Sequence, residues 1–204
     1  MAFRDTGKNG TMPGPVDDYL SPPALAVRSA VERALAEDLT PLGDLTSVLV
    51  PADAVTTAEL RARQAGVLAG VDCVIETFAQ VDPSLTLTWR LSDGDRLEAG
   101  SVIGTVEGHL RTVLTAERTA LNFLSHLSGV ATNTAAFVDR AAATGSSTRV
   151  WDTRKTTPGL RALEKAAVRA GGGRNHRGSL SEWMMLKDNH ITGIGTSSGI
   201  SEKL

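Results

Sequence analysis

Apolar residues at helical spacing predict four helices along this chain. They recur every three or four positions over 22–39, where prolines at the start are tolerated. The run 71–80 carries the same signal. A longer pattern over 115–147, with Thr115 as its predicted N-cap, indicates a connecting helix. The last helix, over 159–170, is followed by three glycines, which permit a left-handed C-cap.

Short β-type runs fill the first half of the chain between these helices. They are predicted as strands at 54–62, 66–69, 85–91 and 102–107. Turn signals at Asp93-Gly94 and Ala99-Gly100 predict that the stretch 92–108 forms an antiparallel hairpin. The pattern therefore indicates an α+β N-terminal domain over 22–114, preceded by a flexible arm over 1–21 that is rich in Gly, Pro, Asp and Thr.

A different order of elements follows the connecting helix. Strands and helices are predicted to alternate here: a strand at 148–151, the helix at 159–170, and a second apolar run at 183–186 that ends at Lys187. Strand, helix and strand in this order open a parallel α/β structure, so we expect 148–204 to begin an α/β-barrel-type domain. In such folds the polar loops at the carboxyl ends of the strands bind ligands.

The composition favours a folded protein without a membrane span or a secretory signal. The chain has 204 residues, of which 41% are hydrophobic, enough for one large or two small folded domains. No apolar run reaches the roughly 18 residues of a membrane span, and the first residues lack the apolar stretch of a secretory signal. We therefore expect a cytoplasmic protein without a membrane partner. The single cysteine, Cys73, excludes an internal disulfide, and we expect it to be buried.

Charge is distributed unevenly. Residues 1–148 contain 11 Lys/Arg and 18 Asp/Glu, whereas residues 149–190 contain 9 and 4. The second segment is therefore expected to meet anions. Aromatic residues make up only 4% of the chain, and Trp151 and Trp183 are isolated within the basic segment, so no nucleic-acid partner is predicted.

The first candidate cluster comes directly after the strand at 148–151. It is Asp152–Thr157, which contains the adjacent cations Arg154 and Lys155. Two neighbouring cations in a ligand-binding loop predict an anionic ligand. The alternative is a solvated loop with one ion pair to Asp152.

Two further clusters lie nearby in the sequence. Gly171–Arg177 joins a glycine loop to Arg174, His176 and Arg177, and such a loop can bring backbone N–H groups close to an anion. It matches neither a Walker A sequence nor a dinucleotide fingerprint. Lys187–His190 ends the second apolar run, and a plain turn is the alternative there. We expect the three clusters to converge.

Other chemistries find no support in the pattern. The four histidines, at positions 109, 126, 176 and 190, lack zinc-site spacing, and no nucleophile elbow of the form G-x-S-x-G occurs. Longer ordered motifs are more informative. They are ERTALNFL with SGVAT, then DTRKTTPGLRALEKAAVRAGGGRNHRGSL, then MLKDNHI. Over about 22–191, and most densely from Glu117 onward, the chain resembles the quinolinate phosphoribosyltransferase (nicotinate-nucleotide pyrophosphorylase) family.

This resemblance implies a reaction and a set of site residues. The family converts quinolinate and phosphoribosyl pyrophosphate into nicotinate mononucleotide, CO2 and pyrophosphate with Mg2+, in NAD biosynthesis. By resemblance, Arg118, Arg154 and Arg177 bind quinolinate, and His176 is a further substrate-binding residue. Lys155 and Lys187 match the two site lysines of the family and are the predicted catalytic residues. The family supplies the arginine matching Arg118 from the neighbouring subunit, which implies a homodimer.

The resemblance also marks a departure. Family members continue well past the Lys-Asp-Asn-His motif, through barrel strands that supply acidic residues and a glycine-rich phosphate loop. The sequence Ser198–Ser201 is similar to that later loop. We expect the 204-residue chain to show little phosphoribosyl transfer even if it binds quinolinate. The alternative is a non-catalytic subunit that pairs with a full-length chain.

Overall fold

A computed structural model describes residues 21–194 of the chain. The predicted arm, apart from Ser21, and the Ser198–Ser201 motif lie outside the described residues. Five helices and five strands are described, with a 3₁₀ turn at Ser47–Leu49. The helices are α1 Ala24–Leu39, α2 Val71–Val81, α3 Leu110–Ala143, α4 Arg161–Ala170 and α5 Asp188–Ile194. The strands are β1 Val55–Arg61, β2 Gly66–Val67, β3 Thr86–Trp89, β4 Arg96–Leu97 and β5 Val102–His109.

The predicted hairpin over 92–108 is wrong. Strand β5 is the centre of a three-stranded antiparallel sheet of order β1-β5-β3, whereas β4 pairs with β2 in a separate two-stranded sheet. Both turns were predicted correctly, since Gly94 and Gly100 adopt positive φ angles of 97° and 90°. The chain turns twice within a few residues, so the short segment between the turns leaves the sheet and pairs elsewhere.

The long helix α3 begins five residues before the predicted N-cap. It starts at Leu110, directly after β5, and its N-cap is His109 rather than Thr115. The Thr115 hydroxyl instead donates to Asp44 Oδ2 (2.9 Å) and to the Arg111 carbonyl (2.9 Å). Buried Val113 extends the apolar face of the helix toward β5, and this extra burial favours the earlier start.

Two hydrophobic clusters form the core, and α3 contributes to both. The first half of α3 packs with α2 and the N-terminal sheet through Phe78, Val106 and Leu124. Its second half packs with α1 and α4 through Leu127 and Leu163. One rigid helix therefore links the N-terminal domain to α4. Cys73 is buried as predicted, and burial raises the pKa of its thiol to about 12.

The predicted strands of the second half are largely absent from the described residues. Residues 148–151 contribute one parallel bridge, Trp151 to Arg174, and 183–186 form no strand. Met184 is 73% exposed, and no strand of the described residues pairs with the second apolar run. Helix α4 forms almost as predicted, and Gly172 after it has the left-handed φ of 81°.

The described residues form an α+β N-terminal domain followed by a segment in which helix α4 lies in sequence between the two residues of one parallel bridge, Trp151 and Arg174, which is how the predicted α/β-barrel-type domain would begin. Over 21–194, no helix has both the length and the apolar character needed to cross a membrane.

Candidate anion-binding site

Asp152 joins the first two candidate clusters. Its backbone N–H donates to the Arg174 carbonyl (2.9 Å), and the Arg174 N–H donates to the Val150 carbonyl (2.8 Å). Its carboxylate accepts bonds from the His176 N–H (2.7 Å) and from Asn175 Nδ2 (2.7 Å). The loop 152–157 and the loop 174–179 are therefore fixed side by side. We call them the first and the second site loop.

Lys165 on α4 completes this junction from below. Its Nζ donates to Asp152 Oδ1 (2.6 Å) and to the His176 carbonyl (2.8 Å). The side chains of Lys165 and Asp152 are only 9% and 6% exposed. The one ion pair to Asp152 that the solvated-loop alternative expects is present, but it is buried and forms the floor of both loops, whereas Thr153, Lys155 and Thr157 above it are exposed.

Two neighbours of Lys165 on α4 hold the same loops. Arg161 donates from Nε to Thr156 Oγ1 (3.2 Å) and from Nη1 to the Gly178 carbonyl (3.2 Å). Glu164, only 8% exposed, accepts from the Thr157 N–H (3.0 Å), and its other oxygen lies 2.9 Å from His126 Nε2 on α3. Glu164 and Lys165 lie three and four positions after Arg161, so the three side chains share one side of the helix. We call this side the polar face of α4.

The ionisation of Glu164 follows from these contacts. Burial raises the pKa of its carboxyl, but the hydrogen bonds from Thr157 and His126 outweigh burial and hold it below its ordinary value. Glu164 is therefore an anion at neutral pH. Sequence reasoning missed the polar face of α4. The available signal was a Glu-Lys pair between Leu163 and Ala166, which are both core residues in the structure.

Four of the six predicted site residues lie on the two joined loops, and three of them, Arg154, His176 and Arg177, are at least partly buried. Arg154 is partly buried, and its Nε is buried without a hydrogen-bond partner among the described residues. Arg177 is 6% exposed and donates from Nη1 to the Trp183 carbonyl (2.8 Å). The His176 ring lies against the Trp183 ring, with centroids 4.5 Å apart. Neither arginine forms an ion pair with a carboxylate in the described part of the chain.

The other predicted site residues are exposed. Lys155 lies on the first site loop, where its N–H donates to Thr153 Oγ1 (3.1 Å). Lys187 immediately precedes α5, and Arg118 lies on α3. Among residues 21–194, no hydrogen bond or ion pair joins Lys187 or Arg118 to the two site loops. The structure thus joins the first two clusters, and the convergence of the third cluster with them stays a prediction.

The described side chains do not form a magnesium site. Within 21–194 no group of three or more His, Cys, Asp or Glu residues could hold a metal ion. Of the acidic side chains at the loops, Asp152 and Glu164 already accept hydrogen bonds with both oxygens, and Glu182 accepts the Gly178 N–H (2.7 Å). The expected Mg2+ therefore remains a prediction.

This architecture defines a class of protein: an α+β domain and an α/β segment with a small cationic site on its loops. The quinolinate phosphoribosyl transferase N-terminal domain matches residues 44–128, and the C-terminal domain of the same family matches residues 130–204. The chain belongs to the quinolinate phosphoribosyl transferase family.

Individual relatives agree with this assignment. The nicotinate-nucleotide pyrophosphorylase [carboxylating] of Mycobacterium leprae is 46% identical over 84% of this chain and 61% of its own length. Quinolinate phosphoribosyltransferase [decarboxylating] 1b of Nicotiana tabacum is 39% identical over 89% of this chain and 50% of its own. The chain therefore spans about half the length of the plant relatives that it matches.

Solved structures show the same fold. The nicotinate-nucleotide pyrophosphorylase from Francisella tularensis superposes with a TM-score of 0.82 at 39% identity, covering 90% of this chain and 64% of that one. NadC from Streptococcus pyogenes gives a TM-score of 0.82 at 40% identity, covering 90% and 65%.

Proposed function

We propose that this protein binds quinolinate between its two site loops and transfers a phosphoribosyl group to it with loss of CO2. The products are nicotinate mononucleotide, CO2 and pyrophosphate, in NAD biosynthesis. Family membership supports this reaction, because the relatives are named for it. It favours the transferase over the alternative of a non-catalytic subunit.

The observation that best supports quinolinate as the substrate is that two arginines at the loops lack a carboxylate counter-ion among the described residues. Arg177 is buried and Arg154 has a buried, unpartnered Nε, yet neither has a carboxylate counter-ion among the described residues. A buried cation without an anion is costly, so a ligand that supplies negative charge is favoured there. Quinolinate is planar and carries two adjacent carboxylates, and guanidinium forks bind such groups through paired hydrogen bonds.

The chemistry requires orientation more than acid or base catalysis. The ring nitrogen of quinolinate attacks the ribose carbon as the bond to pyrophosphate breaks, which leaves a pyridinium. The bond from the ring to the neighbouring carboxylate then breaks. CO2 departs, the electron pair stays on the ring carbon beside the cationic nitrogen, and a proton is taken up there. Residues that fix the ring before attack lower the barrier by holding the reacting atoms close.

The remaining predicted residues complete the proposal. His176 lies on the second site loop and is assigned to the substrate. Lys155 and Lys187 are assigned to anionic groups of quinolinate and of phosphoribosyl pyrophosphate, whose developing charge they would stabilise. Arg118, exposed on α3, is assigned to the site of a partner subunit in a homodimer. We also propose that Mg2+ takes part, because phosphate oxygens bind this ion readily. The proposed location is the cytoplasm.

Single-turnover product formation tests the reaction. The chain, in excess over quinolinate, is mixed with phosphoribosyl pyrophosphate and Mg2+, and nicotinate mononucleotide is measured by mass spectrometry. We expect product that depends on phosphoribosyl pyrophosphate and exceeds that of the Arg154→Ala/Arg177→Ala double variant. Product no higher than with the double variant would contradict the proposed reaction.

A further inference from the structure

Glu164 connects the first site loop to helix α3. One carboxylate oxygen accepts the backbone N–H of Thr157 at 3.0 Å, and the other lies 2.9 Å from His126 Nε2. The Glu164 side chain is 11% exposed, whereas the His126 side chain is 43% exposed. The carboxylate is therefore held between a site loop and the long helix.

The position of this contact along the loop matters. Asp152 fixes the beginning of the first site loop through Lys165, Asn175 and His176. Arg154 and Lys155 follow Asp152, and the Thr157 N–H is the next backbone group that a buried side chain holds. Glu164 thus fixes the loop on the far side of the two cations.

The charge of Glu164 is unfavourable for an anion site. A buried carboxylate that holds an anion-binding loop opposes the binding of a dianion there, so electrostatics alone favours a neutral residue at this position. The hydrogen bonds that Glu164 accepts also keep it ionised, because the pKa of the carboxyl is lowered. The charge of Glu164 opposes ligand binding, but it strengthens the two hydrogen bonds that the carboxylate forms. These contacts therefore explain why a carboxylate stands at this position.

We propose that Glu164, supported by His126, is a positioning residue of the quinolinate site that holds the first site loop so that Arg154 and Lys155 face the ligand. It acts through the Thr157 N–H and does not touch the substrate. The inference rests on the proposed function for its ligand, and on the contacts described above for its mechanism.

Three variants separate positioning from charge. Glu164→Ala removes both the charge and the hydrogen bonds. Glu164→Gln removes only the charge, since the amide oxygen can accept the Thr157 N–H and the amide nitrogen can donate to a His126 tautomer protonated on Nδ1. Glu37→Ala, at an exposed position on α1, removes the same charge away from the loops. Quinolinate affinity is measured by calorimetry, and folding is checked by thermal unfolding.

We expect Glu164→Ala to bind quinolinate about tenfold more weakly, the change that corresponds to roughly 1.4 kcal/mol. Glu164→Gln should bind as well as wild type or better, and Glu37→Ala should bind like wild type. His126→Ala, which keeps the Thr157 contact, should show a smaller loss than Glu164→Ala. Unchanged or tighter binding by folded Glu164→Ala would overturn the proposal.

A second readout does not need the ligand. Hydrogen exchange at the Thr157 amide, measured by NMR, should be faster in Glu164→Ala than in wild type and should return toward the wild-type rate in Glu164→Gln. Equal exchange in all three proteins would overturn the positioning role. If wild type fails to bind quinolinate, the proposed function fails, and the exchange rates still decide whether Glu164 holds the loop.

Discussion

Removing the Lys165 amine is expected to destabilise the protein far more than an ordinary ion pair would suggest. The Asp152 carboxylate is 6% exposed, and Lys165 is the only cationic side chain that forms an ion pair with it in the described part of the chain. Lys165→Met would remove the ion-pair partner of this buried charge and leave Arg169 as a cation that still interacts with it, and breaking a buried pair costs about 3–5 kcal/mol. The bonds from His176 and Asn175 to Asp152 persist, so we expect the lower end of that range.

Urea denaturation of Lys165→Met, Asp152→Ala and the double variant measures this cost. Because each single variant leaves its partner unpaired, the double variant should cost much less than the sum of the two, with a coupling above about 1.5 kcal/mol. The matched control is the exposed pair of Arg96 and Asp139, which are 2.8 Å apart compared with 2.6 Å for the buried pair, and where Asp139→Ala should cost at most about 1 kcal/mol. Additive losses at Lys165 and Asp152 would refute the assignment of this pair as the floor of the site.

Three further predictions follow from other parts of the molecule. Gly171→Ala should destabilise the protein by about 1–3 kcal/mol in urea denaturation, because the new Cβ would meet the Ala131 carbonyl. Gly129→Ala, where the space around the new Cβ in α3 is open, should stabilise it by up to about 1 kcal/mol. Equal effects of the two substitutions would contradict this packing. The pKa of Asp44 is lowered to about 2, first by the Ser47 hydroxyl, so its contribution to stability is complete above its ordinary value of 3.8 and is lost as pH falls toward 2. The difference in melting temperature between wild type and Asp44→Asn should therefore shrink over that range, and a constant difference would count against it. Mixed dimers of Arg118→Ala and Lys187→Ala chains should bind one quinolinate per dimer in calorimetry, since one site would keep both residues; no binding would argue against a shared site.

The N-terminal half of the fold was predictable because its signals are local. The helical spacing over 71–80 became α2 at Val71–Val81, and the alternation over 54–62 became β1 at Val55–Arg61. Strand pairing was not predictable from spacing, because β4 pairs with β2 across a distant part of the sequence. The start of α3 was also missed, since Thr115 looks like a cap only when the burial of Val113 is unknown.

The candidate site residues on the two loops could be picked out from the sequence, whereas the residues that support these loops could not. Arg154, His176 and Arg177 stand out in the sequence because glycines and like charges surround them. Lys165 and Glu164 are buried because α4 packs beneath both loops, which is a tertiary arrangement. Helix periodicity alone places both residues on the solvent-exposed face of α4. A Glu-Lys pair on an amphipathic helix is usually exposed, so the pattern itself favoured the wrong interpretation.

Calorimetric titration with quinolinate tests most directly whether the two site loops form one dicarboxylate site. Wild type should bind quinolinate, and Arg154→Ala and Arg177→Ala should each bind it about 10- to 100-fold more weakly, because each loses a charge-assisted interaction of roughly 1.5–3 kcal/mol. Arg63→Ala, which removes an exposed arginine outside the site, should bind like wild type. Wild-type affinity in both site variants would contradict the central claim.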